Sequence, residues 1–585
     1  MKKFLLPLLL ASASMTAWAE TQESWALVEG PDGLTWSLAT VADLNNLGNE
    51  YYNDFRYNKI SVTLSDALHQ IIGTFDIDVA DLNANDVQVF GPVTNHLFNK
   101  NDQYEVGVQI HVPGNSSNNY TPKMMFRAYS LDGEKVFETD GAGYIVADGD
   151  NSRFILQRDV PSGTYGKSAF DVYRYIGMGF LATHTFEIDN KLTNYLAGSP
   201  FNTVNLSDGI HYILSYYEKS YVKTDRRGEE IYDPETWMPV LNEDNYFIIQ
   251  NYNSAYELVD EVRIPTGCPE GILMRLMGFG LFSDIDLSEG YFTCDDKYNY
   301  VITCSDTNLN WAEQYAFDVY AQGNEYVGAI SKAAGSFWKH LASIEGEPEQ
   351  WAILESDGEG NQQLSLIEVP GLNHVCTIPA TLDGKLISSN IDRMPDAAET
   401  YKYVIGLNEP ATDADDNVIA QYGIYHKDFT VDDYVLLNMG PNAETFTPLV
   451  NDQSLDPHIF YADDQHEFIF LSKVRGNDGK LYGTLYIGNE AGEVLNVYTG
   501  DGTTKGDISN VAILNYGSEQ PELFISYYDQ ANERYTNEFI KLPLTGNGIE
   551  QIATSAAATT YDLFGRSMKQ GQGFVIRNGK KMCVK

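Results

Sequence analysis

The sequence predicts an all-β protein, a β-propeller-like repeat of about five to seven large four-stranded blades. The first observation is a recurring motif, a short polar turn followed by alternating aromatic and β-branched residues, which is the signature of a strand. It is clearest at 463–471 and recurs at 101–108 and 295–302, with looser copies at 207–214 and 399–405. The second is the aromatic content of 12%, which favours pleated sheets.

The third observation is that the elements after the recurring motif keep one order. A hairpin with an Asp-Gly turn lies at 126–137, with counterparts at 317–327 and 485–495. A glycine then precedes a further strand, and a last strand closes the unit. Such units are stable only when packed against neighbours, and radial packing in a propeller supplies those neighbours. The alternative is a series of tandem β-sandwiches, which also contain short strands at intervals.

The chain divides into five segments. Residues 1–19 read as a signal peptide, with Lys2 and Lys3 before an apolar stretch and small residues before Glu20. Residues 20–93 form an N-terminal partial repeat or cap, and residues 94–543 the β-propeller-like repeat domain. A linker at 544–560 leads to a C-terminal tail at 561–585. We therefore expect an exported protein that is secreted, periplasmic or held at the cell surface.

The charge of the chain excludes some partners. It carries 82 acidic and 38 basic residues, for a formal net charge of −44. Such a surface repels phosphate backbones and anionic lipids, so the sequence predicts no nucleic-acid partner. The five cysteines have no CxxC spacing, which disfavours a zinc site.

The C-terminal tail carries a family resemblance. Its motif consists of an aromatic-led turn, a glycine-led strand, an Asn-Gly hairpin and a final basic strand, with key positions at Tyr561, Gly565, Arg566, Gly573, Gly579, Lys581 and Lys585. This pattern resembles the end of the sorting domains of the type IX secretion system of the Bacteroidota. The resemblance implies a bacterial exported protein that contacts export machinery through its tail. The rest of the chain resembles an uncharacterised β-propeller-like repeat protein.

The best candidate for ligand binding is the largest insertion, residues 221–243. It contains Arg226 and Arg227, followed by Tyr232 and Trp237. Aromatic faces stack on sugar rings, and guanidinium groups hold carboxylates in bidentate geometry. The alternative is an ordered loop whose aromatic residues pack on the neighbouring unit.

Calcium is the one cofactor for which the sequence offers a candidate site. Asp413, Asp415, Asp416 and Asn417 supply closely spaced oxygen ligands, as do the acids of 76–83. Both stretches lack the central glycine and final glutamate of an EF-hand. The aspartates of the recurring motif, Asp102, Asp208, Asp296 and Asp464, offer a ring of carboxylates, or else they accept hydrogen bonds within turns.

No catalytic residues can be named from the sequence, because the GxSxG and HExxH motifs are absent. We therefore expect a non-enzymatic protein that binds a glycan or a protein at the bacterial surface. One alternative is a carbohydrate-active enzyme, a glycoside hydrolase or lyase, with acidic residues in a propeller funnel. A structural surface protein is the other.

Overall fold

The computed structural model divides the chain into two compact units. One comprises Met1–Asn308 with Val319–Tyr326, and the other Leu309–Asp318 with Val327–Lys585. The structure describes residues 21–46, 55–99, 103–114, 122–149, 151–160, 166–174, 182–193, 199–206, 208–227, most of 229–265, the strands within 291–332, 338–356, 362–369, 373–450, 453–476, 479–500, 505–529, 534–544, 573–577 and 580–584.

The strands of the first half of the chain form five four-stranded sheets. In chain order they are β1 Thr21–Glu29, β2 Thr35–Asn46, β3 Phe55–Ser65 and β4 Ile71–Asp78 in sheet 1; β5 Asp86–Thr94, β6 Glu105–Val112, β7 Lys123–Ser130 and β8 Lys135–Asp140 in sheet 2; β9 Ala142–Val146, β10 Arg153–Val160, β11 Lys167–Tyr173 and β12 His184–Asp189 in sheet 3; β13 Phe201–Leu206, β14 Gly209–Tyr217, β15 Tyr246–Tyr252 and β16 Leu258–Pro265 in sheet 4; and β17 Tyr291–Cys294, β18 Lys297–Ser305, β19 Tyr315–Ala321 and β20 Glu325–Lys332 in sheet 5.

The later strands form four more sheets and a hairpin. They are β21 Trp338–His340, β22 Glu349–Ser356, β23 Gln362–Val369 and β24 Asn373–Ile378 in sheet 6; β25 Thr381–Leu382, β26 Lys385–Asp396, β27 Thr400–Thr412, β28 Val418–Tyr425 and β29 Val431–Gly440 in sheet 7; β30 Ala443–Leu449, β31 Glu467–Arg475, β32 Leu481–Asn489 and β33 Val494–Thr499 in sheet 8; β34 Asp507–Leu514, β35 Glu522–Asp529 and β36 Arg534–Lys541 in sheet 9; and β37 Gly573–Arg577 with β38 Lys580–Val584 in the hairpin. Within the part of the chain that the structure describes, 3-10 turns lie at Ala80–Leu82 and Asn190–Leu192.

Each sheet is an antiparallel meander in which strands that follow one another in the chain are hydrogen-bonded neighbours. This order confirms the predicted all-β fold of propeller-like units, and it lacks the Greek-key crossovers typical of β-sandwiches. The described residues form nine sheets of three to five strands, more than the five to seven blades expected. The count differs because the recurring motif marks only some units, and residues 21–78 form a complete four-stranded sheet.

Burial along the strands explains why the sheets stack. In most of the described sheets the second strand is buried on both faces, as in β31 and β35, whereas last strands are more exposed and can alternate between buried and exposed residues, as β29 does. A strand that is apolar on both faces needs cover on each side. Consecutive sheets provide it by sharing apolar clusters, which join sheets 1 and 2, 2 and 3, and 3 and 4 in the first unit. In the second unit they join sheets 6 and 7, 7 and 8, and 8 and 9.

One five-residue turn recurs between strands. The N–H of its first residue donates to the carbonyl of the fifth, and the N–H of the fourth donates to the carbonyl of the first, as at 66–70, 130–134, 253–257, 413–417, 426–430 and 489–493. The fourth residue has a positive φ in each case. An Asp or Asn at the first position accepts from the amides of the third and fifth residues, as Asp66 and Asn253 do. Many of the chain's acids therefore act in turns.

Two buried charges on β26 hold the connection between β21 and β22. Asp392 is 1% exposed and lies 2.5 Å from the Nζ of Lys339 on β21, and its Oδ1 accepts from the Ala342 amide at 2.6 Å. Arg393, which is fully buried, donates to the carbonyls of Ala342 and Pro348, each at 2.8 Å. Sheet 7 thus fixes the loop of sheet 6 through charge-assisted hydrogen bonds.

Candidate functional site

The insertion loop, residues 221–243, connects β14 and β15. Its base is anchored in the core, because Tyr221 and Val222 are 1% and 2% exposed. The ring of Tyr221 packs 4.9 Å from that of Tyr217 on β14. Below it, the Asn245 side chain accepts from the Lys219 amide and donates to the Lys219 carbonyl.

Backbone hydrogen bonds join three segments of the insertion loop. The amide of Lys223 donates to the carbonyl of Val240, that of Val240 to Ile231, and that of Ile231 back to Lys223, all at 2.7–2.9 Å. The Asn242 amide closes the loop on the Tyr221 carbonyl at 3.0 Å. These bonds hold together the parts of the loop that the structure describes, and they fix the backbone near Ile231 and Val240.

The outer side of the insertion loop carries exposed apolar side chains. Trp237 is 80% exposed, Tyr232 50% and Ile231 38%. Trp237 has a positive φ of 59°, and its amide donates to the Asp233 carbonyl at 2.9 Å. A non-glycine residue in this conformation is strained. Tyr256 and Phe429 have similar φ values in ordinary turns of this chain, so the conformation of Trp237 marks a tight turn that leaves its indole in solvent.

The two arginines lie on a different turn of the insertion loop. Arg226 and Arg227 are exposed, within a turn in which the Asp225 carboxylate accepts from the amides of Arg227 and Glu229. Tyr232 donates its hydroxyl to Glu230 at 2.7 Å. The loop has six acidic residues against three basic ones. Its electrostatics therefore suit a neutral ligand better than an anionic one.

The candidate calcium residues form the β27–β28 turn. The carboxylate of Asp413 accepts from the amides of Asp415 and Asn417, each at 2.9 Å, and from the side chains of Asn417 and Asn438 at 2.8 and 3.2 Å. These donors lower the pKa of Asp413, the Asn417 side chain most. Asp416 occupies the positive-φ position of the turn. Turn geometry thus accounts for the Asp413 carboxylate and for the backbone position of Asp416. No group of three His, Cys, Asp or Glu side chains placed to hold a metal occurs in the described part of the chain.

The aspartates of the recurring motif have separate surroundings. Asp208 pairs with the buried His211 at 2.9 Å, and His211 in turn meets Asn251 at 2.9 Å. Asp464 is fully exposed, with His458 3.9 Å away, while its neighbour Asp463 accepts from the Gln465 amide. Asp102 and Asp296 lie outside the described residues. Asp208 therefore contacts a buried histidine near the start of β14, whereas the Asp464 side chain lies in solvent before β31.

Among the described residues, a buried polar side chain lies within the first three positions of the second strand in six sheets, and the sequence prediction missed this feature. The side chains are at most 3% exposed and comprise Glu105, Arg153, His211, Gln350, Glu467 and Glu522. For Glu105 and Glu467, the sequence itself contains a signal that could have revealed the buried residue. Residues 96–105, HLFNKNDQYE, and 458–467, HIFYADDQHE, align without gaps, so the repeat extends upstream of the recurring motif to an apolar pair and a histidine.

In the tail, the backbone of β37 and β38 forms the antiparallel hairpin that the Asn-Gly pair predicts. Gly573 begins β37 and Lys581 lies within β38, whereas Tyr561, Gly565, Arg566, Gly579 and Lys585 lie outside the described residues. Among the described residues, no helix has the length and apolar character needed to cross a membrane.

No protein family matches the chain, and no curated protein matches it by sequence. Solved structures with partial likeness include a eukaryotic initiation factor, at 10% identity and a TM-score of 0.32, covering 81% of this chain and 87% of that one. Exotype rhamnogalacturonan lyase YesX has 11% identity and a TM-score of 0.27, covering 88% and 82%. The β-propeller domain of the Trilobed protease from Pyrococcus furiosus has 8% identity and a TM-score of 0.24, covering 66% and 91%.

Proposed function

We propose that this chain is an exported, non-enzymatic binding protein of the bacterial cell surface, and that its insertion loop recognises a glycan. The observation that carries the proposal is Trp237, 80% exposed on a loop whose backbone is fixed by hydrogen bonds. An indole face stacks on the apolar face of a sugar ring. A fixed backbone lowers the entropy that the loop loses on binding.

The charge of the insertion loop narrows the ligand class. With six acids and three basic residues, the loop favours a neutral glycan over a uronic-acid polymer. Tyr232, half-exposed and hydrogen-bonded to Glu230, adds a second ring. The tail, by its resemblance to type IX sorting domains, would direct the protein to the surface where such glycans occur.

A glycan array probed with the chain from Glu20, with calcium and with chelator, tests this proposal. We expect binding to neutral glycans, and Trp237→Ala to weaken it by about 10–30-fold, the loss expected for a binding hot spot. Tyr535→Ala is the matched control, because Tyr535 is an aromatic residue 44% exposed on β36 and should leave binding unchanged.

Three results would contradict the proposal. Undiminished binding by Trp237→Ala would place the site elsewhere on the chain. Release of a shortened product from a bound glycan would favour a carbohydrate-active enzyme. Absence of binding to every glycan on the array would favour a protein ligand or a structural role at the surface.

A further inference from the structure

The connection between β30 and β31 ends on a buried acid that has no well-formed hydrogen bond. Glu467, the first residue of β31, has no exposed surface, and the Phe460 amide near its carboxylate lies outside normal hydrogen-bond geometry. A buried carboxylate in this state is costly, because one weak donor does not replace the water that it loses. The connection around it, residues 453–466, is packed through Leu455, Ile459 and Phe460, each at most 4% exposed.

Glu105 occupies the same position in the aligned segment of sheet 2 and is fully satisfied. It is also fully buried, but it accepts from the Thr94 hydroxyl at 3.0 Å, the Phe98 amide at 3.1 Å and the Asn99 amide at 2.7 Å. Burial raises the pKa of Glu105, and these donors oppose the rise. Two copies of one segment thus place their buried acids in different surroundings.

The charges that act on Glu467 are all negative. Asp456 and Asp463 face it from the connection and Glu490 from the β32–β33 turn, and together with burial, the larger cause, they raise the pKa of Glu467 to about 8. The Phe460 amide, which corresponds to the Phe98 amide near Glu105, opposes this rise in pKa only weakly. The histidines of the connection are engaged elsewhere, since His466 contacts the Leu455 carbonyl at 2.5 Å and His458 lies near Asp464. The Tyr461 hydroxyl accepts a hydrogen bond from the Asn496 side chain at 2.9 Å.

We propose that Glu467 is protonated in the folded protein at neutral pH and acts as a pH-sensitive latch on the 453–466 connection. A neutral carboxyl is far cheaper to bury than a carboxylate. When the connection opens, Glu467 reaches water, ionises and releases its proton. Closing the connection therefore takes up one proton, and a higher pH favours the open form.

The sign and size of the effect follow from the two pKa values. The pKa of Glu467 is about 8 in the closed form and 4.5 in an unperturbed glutamate. The stabilisation of the closed form is complete below the lower value and falls as pH rises towards the upper one. Between pH 5.5 and 7.5, opening should become about 100-fold more favourable, or tenfold for each pH unit.

Hydrogen exchange of the full chain, corrected for intrinsic exchange rates at each pH, measures this opening. In the wild type, protection of 453–466 should fall about 100-fold from pH 5.5 to 7.5. Glu467→Gln, which cannot ionise, should remove that pH dependence and keep the protection high. Glu105→Gln is the matched control and should leave the pH dependence of 453–466 unchanged.

Equal protection of 453–466 at pH 5.5 and 7.5 in the wild type would contradict the proposal. So would a pH dependence in Glu467→Gln that equals that of the wild type. If Glu467→Gln does not fold, Glu490→Gln replaces it. This variant removes one exposed negative neighbour and should reduce the pH dependence, and an unchanged dependence would contradict the proposal. Protection at pH 7.5 that rises with calcium and falls with chelator would show that a cation, not a proton, neutralises Glu467.

Discussion

Burial, rather than distance, should decide what an ion pair contributes to the stability of this protein. Lys339 and Asp392 lie 2.5 Å apart with side chains 18% and 1% exposed. Lys123 and Asp140 lie 2.6 Å apart with side chains 45% and 71% exposed. The two pairs therefore match in geometry and differ in solvent access, which makes the second a control for the first.

The expected cost follows from the surroundings of Asp392. At an effective dielectric constant of about 20, charges 2.5 Å apart attract by about 7 kcal/mol, and desolvation offsets part of this. Asp392→Asn keeps the shape and leaves Lys339 with only the Val450 carbonyl at 2.7 Å. We expect a loss of about 3–5 kcal/mol, as for other buried pairs that lose one partner. Asp140→Asn should cost less than about 1 kcal/mol.

Local opening free energies from native-state hydrogen exchange of 339–350 and 390–394 provide the assay. A double-mutant cycle with Lys339→Met and Asp392→Asn should give a coupling energy of about 2–3 kcal/mol, because the second change removes the charge that the first leaves unpaired. Additive single effects, or an equal coupling in the Lys123 and Asp140 cycle, would refute the reasoning.

The recurring turn gives two further predictions. Asp416→Gly should stabilise the β27–β28 turn by about 0.5–1 kcal/mol, because Asp416 has a φ of 62° and glycine adopts this conformation without strain. A lower midpoint of urea denaturation in the variant would contradict this prediction. Gly492→Ala should destabilise the β32–β33 turn by about 1–3 kcal/mol, because the φ of Gly492 is 75° and a Cβ would overlap the Leu436 carbonyl. Hydrogen exchange of 489–494 should be faster in the variant, and unchanged exchange would contradict the steric argument.

The sequence predicts the strands well because their signal is local. The polar turn and the aromatic and β-branched residues of 463–471 predict a strand from neighbouring residues alone, although β31 is buried on both faces rather than on one. The insertion loop is likewise visible in its composition. The number of sheets was not predictable from the recurring motif, because some sheets depart from it. Gln350 and Glu522, near the starts of their second strands, have a glutamate three residues earlier in place of the aspartate. Contacts such as Lys339 with Asp392, 53 residues apart, depend on how sheets stack and leave no local pattern.

The candidate sites show the same limit. The spacing of Asp413 to Asn417 is compatible with either a calcium loop or a capped turn, and only the amide directions in the structure reveal that the carboxylate is occupied by donors. The exposure of Trp237 likewise depends on whether a neighbouring unit covers it. The sequence identifies Trp237 as a candidate, and the structure shows that its side chain is 80% exposed.

The paired segments at 96–105 and 458–467 also bear on how a duplicated architecture diversifies. Both copies place a glutamate at the same backbone position, yet one is stabilised by three donors and the other faces three carboxylates. The difference arises in nearby loops and turns, which tolerate substitution better than the strands do. One copy can therefore keep a constant role in holding its sheet, while changes at the surface alter the ionisation of the other without changing the fold.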